Sequence, residues 1–193
     1  MFVLVLGTGM QGTQCKVALV GPESCGKTTL AEALAERLRN AGESCALVPE
    51  YARAYYAERP YRPTLDDLLA IARGQLAAEA QAAASGARWL LCDSTVLTCL
   101  IWSEVAFGTV DPALTALYLP RNYALTLLPL PDIPWTPDPL RTHPDGRATL
   151  LMRYRSALHA DGSTVREIAG EGLARVDLAW RALRQIQPKL PKI

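Results

Sequence analysis

The sequence contains no long apolar run and no excess of charge of either sign. No segment approaches the roughly 20 consecutive apolar residues that a membrane-spanning helix needs, although half of the 193 residues are hydrophobic. The 20 basic residues nearly balance the 19 acidic ones, and the arginines are scattered, whereas nucleic-acid-binding proteins usually carry a basic patch or stripe. We therefore expect a globular protein with a small-molecule partner, without membrane insertion and without a nucleic-acid partner.

The sequence also lacks a C-x-x-C pair and any recognisable metal-ligand spacing. His143 and His159 stand alone, and neither is assigned a role. The cysteines are odd in number and mostly lie in apolar segments, where Cys behaves as a small hydrophobic residue. Free thiols are typical of a reducing compartment, so we expect a cytoplasmic location. The five cysteines are Cys15, Cys25, Cys45, Cys92 and Cys99.

The first fifteen residues carry a glycine motif that their context contradicts. An apolar segment precedes Gly7, Gly9 and Gly12, which reproduce the G-x-G-x-x-G dinucleotide pattern. A dinucleotide-binding unit needs a helix after the third glycine and an acidic residue about 20 positions further on. Here only three residues separate Gly12 from the next strand. We predict an N-terminal extension of undetermined structure over residues 1–15 and one domain over residues 16–193.

The central feature of the sequence is Gly21–Thr28, which matches the phosphate-loop pattern G-x-x-x-x-G-K-[ST] at every fixed position. An apolar strand, Val17–Val20, precedes it, and an amphipathic helix, Lys27–Asn40, follows. In such a loop backbone N–H groups surround phosphates, the lysine reaches the β and γ phosphates, and the threonine hydroxyl binds Mg²⁺. The sequence therefore predicts an ATP and Mg²⁺ site formed by Gly21, Glu23, Ser24, Cys25, Gly26, Lys27, Thr28 and Thr29.

Polar residues follow the second predicted strand, Ser44–Val48. Ligands of parallel α/β sheets bind beyond the carboxyl ends of the strands, so Glu50, Tyr51 and Arg53 are expected beside the phosphate loop. The alternative for Glu50 is an acidic residue that only stabilises a helix N-terminus.

The third predicted strand, Arg88–Cys92, ends in a single carboxylate, Asp93. An apolar strand followed by one acid is typical of the residue that holds Mg²⁺ in phosphate-loop proteins. The alternative is that Asp93 or Ser94 merely caps the following helix, Val96–Phe107.

A long segment with six prolines, Pro129–Gly146, follows the fourth predicted strand. We call it the proline-rich loop. So many prolines exclude a regular helix or a central strand, and long loops in compact domains are usually functional. We predict a lid that covers the substrate; the alternative is a passive surface linker.

The remaining segments complete an alternating pattern of strands and helices. A capping box at Thr64–Asp67 begins a helix to about Ser85, which we interpret as scaffold. Five strands alternating with helices predict a doubly wound, three-layer αβα sheet of the phosphate-loop NTPase class. The other predicted elements are a strand at Tyr123–Leu128, a helix at Arg147–Ala160, a strand at Thr164–Ala169 and a helix at Gly170–Gln187.

Taken together, several segments resemble one family, the ribosylnicotinamide kinases of the NadR type. The resemblance extends from about Lys16 to Leu183. It implies a phosphate-loop kinase that transfers phosphate from ATP to the 5′-hydroxyl of nicotinamide riboside. The segments that carry it are Gly21–Thr28, Glu50–Arg53, Cys92–Ser94, Ile101–Gly108 and Asp132–Arg141.

The resemblance also implies roles for individual residues. Lys27, Arg141 and Mg²⁺ held by Thr28 and Asp93 would share the charge of the transferred group. Either Asp93 or Glu50 would accept the proton of the hydroxyl, and Asp93 is preferred. The predicted acceptor-binding set is Glu50, Tyr51, Arg53, Asp132, Trp135 and Asp138, with Trp135 and Tyr51 facing the ring. Adenine is expected near Gly170 and Arg175.

Two alternatives remain open at this stage. One is a kinase of the same architecture for another nucleoside or for a nucleotide. The other is a non-catalytic regulatory module that binds ATP and a pyridine nucleotide. The sequence also leaves the oligomeric state open, a homo-oligomer included.

Overall fold

The computed structural model describes residues 14–186 and contains one five-stranded, all-parallel sheet with the strand order β2-β3-β1-β4-β5. The predicted fold class is confirmed. The glycine motif at Gly7–Gly12 lies outside the described residues, as does Gln187. The strands are β1 Cys15–Leu19, β2 Cys45–Val48, β3 Trp89–Asp93, β4 Leu125–Pro129 and β5 Val165–Ile168.

Helices cover both faces of the sheet. α1 and α7 pack on one face, where Leu30, Leu34 and Leu38 of α1 are fully buried. α3, α4 and α6 cover the other face. Each fully buried leucine contributes roughly 2 kcal/mol of hydrophobic stabilisation. The helices are α1 Lys27–Asn40, α2 Tyr51–Tyr56, α3 Leu65–Ala83, α4 Val96–Phe107, α5 Pro112–Ala116, α6 Arg147–Ala160 and α7 Gly172–Ile186.

The register of the sheet brings the functional segments to one edge. Leu19 of β1 pairs with Asp93 of β3, and Val48 of β2 pairs with Cys92. Because all strands are parallel, their carboxyl ends lie side by side. The phosphate loop after β1, Glu50 after β2 and Asp93 at the end of β3 are therefore neighbours.

The start of α3 agrees with the capping signal in the sequence, while two short helices were not predicted. Thr64 and Asp67 form a reciprocal capping box at the start of α3, as predicted. Two short helices, α2 and α5, were not predicted, because five or six residues are too few to show a 3.6-residue hydrophobic period. α5 does carry a local signal, since Asp111 accepts a hydrogen bond from Ala113 N and Pro112 occupies the first helical position.

Two expectations from composition can be compared with the structure. All five cysteines are free thiols, and all except Cys45 are buried. Between residues 14 and 186, none of the helices combines the length and the apolar character needed to cross a bilayer.

Candidate functional site

The phosphate loop requires its two glycines for steric reasons. Gly21 has a φ of 152° and Gly26 a φ of 78°, both disfavoured for residues with a Cβ. A Cβ on Gly21 would lie 3.1 Å from Cys25 Sγ, and one on Gly26 would lie 3.2 Å from Arg175 Nη1. A side chain at either position would therefore strain the backbone and require its neighbours to shift by a few tenths of an ångström.

Lys27 lies across the loop that it follows. Its Nζ donates hydrogen bonds of 3.0 Å to the carbonyl oxygens of Gly21 and Pro22. Burial opposes the ammonium charge, but nearby acidic groups more than offset this effect and raise the pKa of Lys27. The ammonium is therefore a permanent positive charge at the loop.

Thr28 and Asp93 form an oxygen donor pair beside the loop. Thr28 Oγ1 donates a 2.6 Å hydrogen bond to Asp93 Oδ2, while the buried Oδ1 has no hydrogen-bond partner among the described residues. Burial raises the pKa of Asp93 to about 6. A hydroxyl and a carboxylate are the hard oxygen ligands that Mg²⁺ accepts together with phosphate and water, so the pair fits the predicted metal.

The capping alternative for Asp93 does not hold. The residue that caps α4 is Thr95, whose Oγ1 accepts from Leu97 N. Ser94, between them, has a φ of 68°, which is unusual for a residue other than glycine. This conformation turns the chain sharply after β3 and leaves the Asp93 carboxylate at Thr28.

A cavity of about 400 Å³ extends from the phosphate loop. One wall is the loop itself and the N-terminus of α1. The other walls come from α2, α3, α4 and residues 140–143 of the proline-rich loop. Besides the phosphate-loop residues, the polar and aromatic residues that line it are Glu50, Arg53, Tyr56, Tyr61, Gln75, Ser94, Thr95, Thr98, Trp102, Phe107, Arg141, Thr142 and His143.

Glu50 is the strand-end carboxylate that lines this cavity. It precedes α2, but its side chain makes no capping hydrogen bond, which argues against a purely helix-stabilising role. Its Oε2 lies 3.3 Å from Arg53 Nε, and its Oε1 accepts from Ser94 Oγ at 3.3 Å. Asp93 is almost completely buried beside Thr28 and does not line the cavity. The two predicted acids therefore occupy different positions.

The proline-rich loop is attached to the phosphate loop at two places. Ser24 Oγ accepts from Thr136 N at 2.8 Å, and the Glu23 carboxylate accepts from the backbone N–H groups of Thr142 and His143 at 2.9–3.1 Å. A loop with these contacts covers the cavity rather than extending into solvent.

Two charged residues fix the middle of the proline-rich loop. Arg53 Nη1 donates a 3.0 Å hydrogen bond to Asp138 Oδ2. Although partial burial opposes the effect, the Leu140 N–H and Arg53 lower the pKa of Asp138. Arg141 lines the cavity while donating a 2.6 Å hydrogen bond to Thr136 O.

Three residues predicted to contact the acceptor have other neighbours in this structure. Trp135 lies outside the cavity lining, with the Arg147 guanidinium 5.9 Å from its ring. The Tyr51 ring packs against Gly74 of α3, and Asp132 is paired with Arg175. Two aromatic side chains of α4 do line the cavity: Phe107 at the end of the helix, and Trp102, which is in edge contact with His143 at 5.0 Å between ring centroids. A role for the first three residues at the acceptor remains a prediction.

Arg175 of α7 is buried under the phosphate loop. Its guanidinium donates to Cys25 O at 2.6 Å, to Leu130 O at 2.7 Å and to the Asp132 carboxylate. Asp132 also accepts a 2.6 Å hydrogen bond from Gly170 N. Arg175 thus supports the loop from below through contacts that the sequence did not reveal. The predicted position of adenine near Gly170 and Arg175 remains a prediction.

Sequence reasoning missed several lining residues. Trp102 belongs to a segment that carries the family resemblance, but nothing in the sequence distinguishes an inward-facing tryptophan from Trp135. Gln75 was overlooked because α3 was interpreted as scaffold. One signal was available, because Gln75 follows the apolar residues Leu68, Ile71 and Ala72 by seven, four and three positions, which is the spacing of one helix face. His143 was recognised and left without a role.

Comparison with known proteins supports the fold. A solved structure of NadR protein in complex with NR matches with a TM-score of 0.76 at 19% identity, over 95% of this chain and 54% of that chain. One of NadR protein in complex with NAD and AMP-PNP gives 0.73 at 18% identity, over 95% and 52%. The chain thus spans about half the length of these structures. Thymidylate kinase from Ehrlichia chaffeensis gives 0.64 at 13% identity, over 91% and 100%.

The predicted resemblance to NadR is confirmed at the level of the fold. No curated protein matches the sequence. A family model described as AAA domain matches residues 16–175, which include the phosphate loop, Glu50, Asp93, the proline-rich loop and Arg175. The chain belongs to this AAA domain family.

Proposed function

We propose that this protein is an ATP-dependent kinase that phosphorylates the 5′-hydroxyl of nicotinamide riboside to nicotinamide mononucleotide. The observation that carries the proposal is the cavity that joins the phosphate loop to a compartment lined by Glu50, Trp102 and Tyr61. The fold shared with NadR protein in complex with NR supports the choice of acceptor. A role in NAD salvage and a cytoplasmic location belong to the same proposal.

ATP would bind with its phosphates in the loop, as the AMP-PNP complex of NadR protein suggests. Thr28 and Asp93 would hold Mg²⁺, which supplies charge neutralisation to the phosphates when bound. Lys27 would leave the carbonyls of Gly21 and Pro22 for the phosphate oxygens, because a phosphate is a stronger acceptor for an ammonium than a neutral carbonyl.

Glu50 is the better candidate for the base, because it lines the cavity while Asp93 lies beneath with Thr28. In the transfer step the 5′-oxygen forms a bond to the γ-phosphorus and the bond from phosphorus to the ADP oxygen breaks. The hydroxyl proton passes to the Glu50 carboxylate. Arg53, 3.3 Å from Glu50, holds that carboxylate in place. Arg141 and Lys27 would share the charge of the transferring group.

The acceptor compartment suits a planar cation. The pyridinium ring of nicotinamide riboside carries a positive charge, and aromatic faces attract such rings. Trp102 and Tyr61 line the compartment, and Glu50 lies at its edge. We therefore assign to Trp102 the stacking role that the sequence suggested for Trp135.

The test is a direct assay of purified protein with ATP, Mg²⁺ and nicotinamide riboside. ADP release is followed by a coupled assay and the mononucleotide by chromatography. We expect both products in equal amounts and neither with Lys27→Ala. ATP consumption that does not depend on the riboside would contradict the proposal and favour the regulatory-module alternative.

A nucleotide acceptor is the second candidate, because the thymidylate kinase structure matches along its whole length. A phosphorylated acceptor needs cations that are available to bind it. Arg53 is paired with Glu50 and Asp138, and Arg141 is bound to Thr136 O. Arg53 is thus engaged by two carboxylates, and Arg141 and Lys27 are assigned to the transferred phosphate, which favours an uncharged sugar end. Thymidine monophosphate belongs in the same assay as a competing acceptor.

A further inference from the structure

Two buried polar groups beside the cavity have no partner. Gln75 of α3 is 2% exposed and Tyr56 of α2 is 8% exposed, and both line the cavity. Gln75 Nε2 and the Tyr56 hydroxyl make no hydrogen bond to any described residue. Buried polar groups are nearly always paired in folded proteins, so an unpaired one at a cavity is a candidate ligand-binding group.

The orientation of the Gln75 amide is fixed from the other side. Its Oε1 accepts a 2.9 Å hydrogen bond from the backbone N–H of Tyr51. A backbone N–H can only donate, so the oxygen must face Tyr51 and the NH₂ group is left over. Gln75 therefore offers hydrogen-bond donors at its position on the cavity wall.

The cavity wall that α3 and α4 form beside these two groups is uncharged. α3 contributes Leu68, Ile71 and Gln75 to the cavity wall, and the α4 side brings no charged residue within the described lining. Tyr56 packs edge-on against Tyr61 at 5.0 Å between centroids, and burial raises the pKa of its hydroxyl. The hydroxyl is therefore protonated at neutral pH.

An anionic ligand group would be poorly accommodated here. A carboxylate moved into an apolar wall loses its hydration and needs a cation to replace it. Arg53, the cation of α2 that lines the cavity, is already paired with Glu50 and Asp138. A neutral carbonyl needs only hydrogen-bond donors.

We infer that Gln75 and Tyr56 recognise an uncharged carbonyl on the base of the acceptor, and so select a carboxamide over a carboxylate. The inference rests on the proposed function in one respect: it takes the cavity as the acceptor site. It assigns nicotinamide riboside, rather than nicotinic acid riboside, as the better substrate.

The experiment compares kcat/KM for three ribosides, those of nicotinamide, nicotinic acid and unsubstituted pyridine. Wild type should prefer the nicotinamide form over the nicotinic acid form by about 100-fold, because a carboxylate loses its hydration in this uncharged wall and finds no free cation to replace it. Gln75→Glu retains an oxygen for Tyr51 N and removes the NH₂ donors. It should lower kcat/KM for nicotinamide riboside by about 10- to 100-fold and change that for the pyridine riboside by less than about 3-fold.

Two further variants guard against a structural explanation. Gln81→Glu makes the same chemical change on an exposed face of α3 and should leave all three values unchanged. Tyr56→Phe removes only the hydroxyl and should lower kcat/KM for nicotinamide riboside by about 5-fold. ATP affinity should match wild type in every variant. Thermal unfolding should match wild type in Gln81→Glu and Tyr56→Phe, while Gln75→Glu is expected to unfold at a lower temperature because it buries a carboxylate, and the pyridine riboside controls for this change. Equal use of the two substituted ribosides by wild type, or equal losses for the nicotinamide and pyridine ribosides in Gln75→Glu, would overturn the inference.

The outcome separates this inference from the proposed function. If no pyridine riboside is phosphorylated, the proposed function fails, and the variants are then compared on uridine and thymidine, whose bases carry neutral carbonyls. A loss in Gln75→Glu that Gln81→Glu does not show supports the inference with a different acceptor. Unchanged kinetics, or no binding of either nucleoside by calorimetry, overturns it.

Discussion

The two ends of the cavity are built in different ways. The phosphate end consists of one continuous segment, Gly21–Thr28, with Asp93 from the neighbouring strand. The acceptor end combines side chains from α2, α3, α4 and the proline-rich loop. Binding at the phosphate end depends largely on backbone geometry. Binding at the acceptor end depends on side chains that only the folded chain brings together. Local sequence patterns therefore predict the phosphate end and leave much of the acceptor end undetermined.

The largest effect is expected at the phosphate end. Lys27→Ala removes a charge that becomes more important as negative charge moves in the transition state, and should lower kcat by about 10³-fold. Arg39→Ala, which removes an exposed charge at the far end of α1, serves as the control. Steady-state kinetics with saturating ATP measure both. Near-normal turnover in Lys27→Ala would mean that the loop is structural only.

The two carboxylates should also differ in role, with Glu50 acting at the acceptor end and Asp93 at the phosphate end. Glu50→Gln is expected to lower kcat by about 10²- to 10⁴-fold with little change in ATP affinity, because it removes a base. Asp93→Asn should instead raise the Mg²⁺ concentration needed for half-maximal rate. Titrations of rate against Mg²⁺ and against riboside separate the two. The opposite pattern would restore Asp93 as the base and place Glu50 among the ligands.

A smaller effect is expected at the acceptor end. Trp102→Leu should raise KM for nicotinamide riboside by about 10-fold, since cation–π contacts contribute about 1–2 kcal/mol. Trp135→Leu should change it by less than about 3-fold. Quenching of tryptophan fluorescence by the riboside should persist in Trp135→Phe and weaken in Trp102→Phe. The reverse result would place the acceptor beside Trp135, in the first part of the proline-rich loop.

The smallest expected effect is a gain in thermal stability, whereas the preceding variants lose activity. Burial raises the pKa of Asp93 to about 6, so its ionised form is disfavoured in the fold and wild type loses stability as pH rises from about 4 through about 6. Asp93→Asn removes this ionisation. The Tm of the ligand-free variant should exceed that of wild type by a few degrees at pH 7.5, and the gap should narrow toward pH 4. Calorimetric scans at both values check this; a constant gap would indicate a packing effect.

The sheet and most of the long helices could be predicted because apolar strands, a capping box and the phosphate-loop pattern are local signals. α2 could not be, since six residues show no period, and the partner that holds its first N–H, Gln75, is 24 positions away. The exposure of a tryptophan is likewise a property of the folded chain, so the sequence could not rank Trp102 above Trp135. The sequence led us to expect Arg175 at the nucleotide, because arginine often binds ligands. Only the fold shows that its guanidinium is buried under Cys25.

The Arg175 contact also bears on how the protein is made. Cys25 and the guanidinium that supports its carbonyl are 150 positions apart, so a ribosome completes the phosphate-loop signature long before it synthesises α7. A nascent chain that ends before α7 carries every residue of that signature without the support beneath it. Nucleotide affinity is therefore expected to arise late in translation, when the last helix docks, although the motif responsible for it is translated among the first thirty residues.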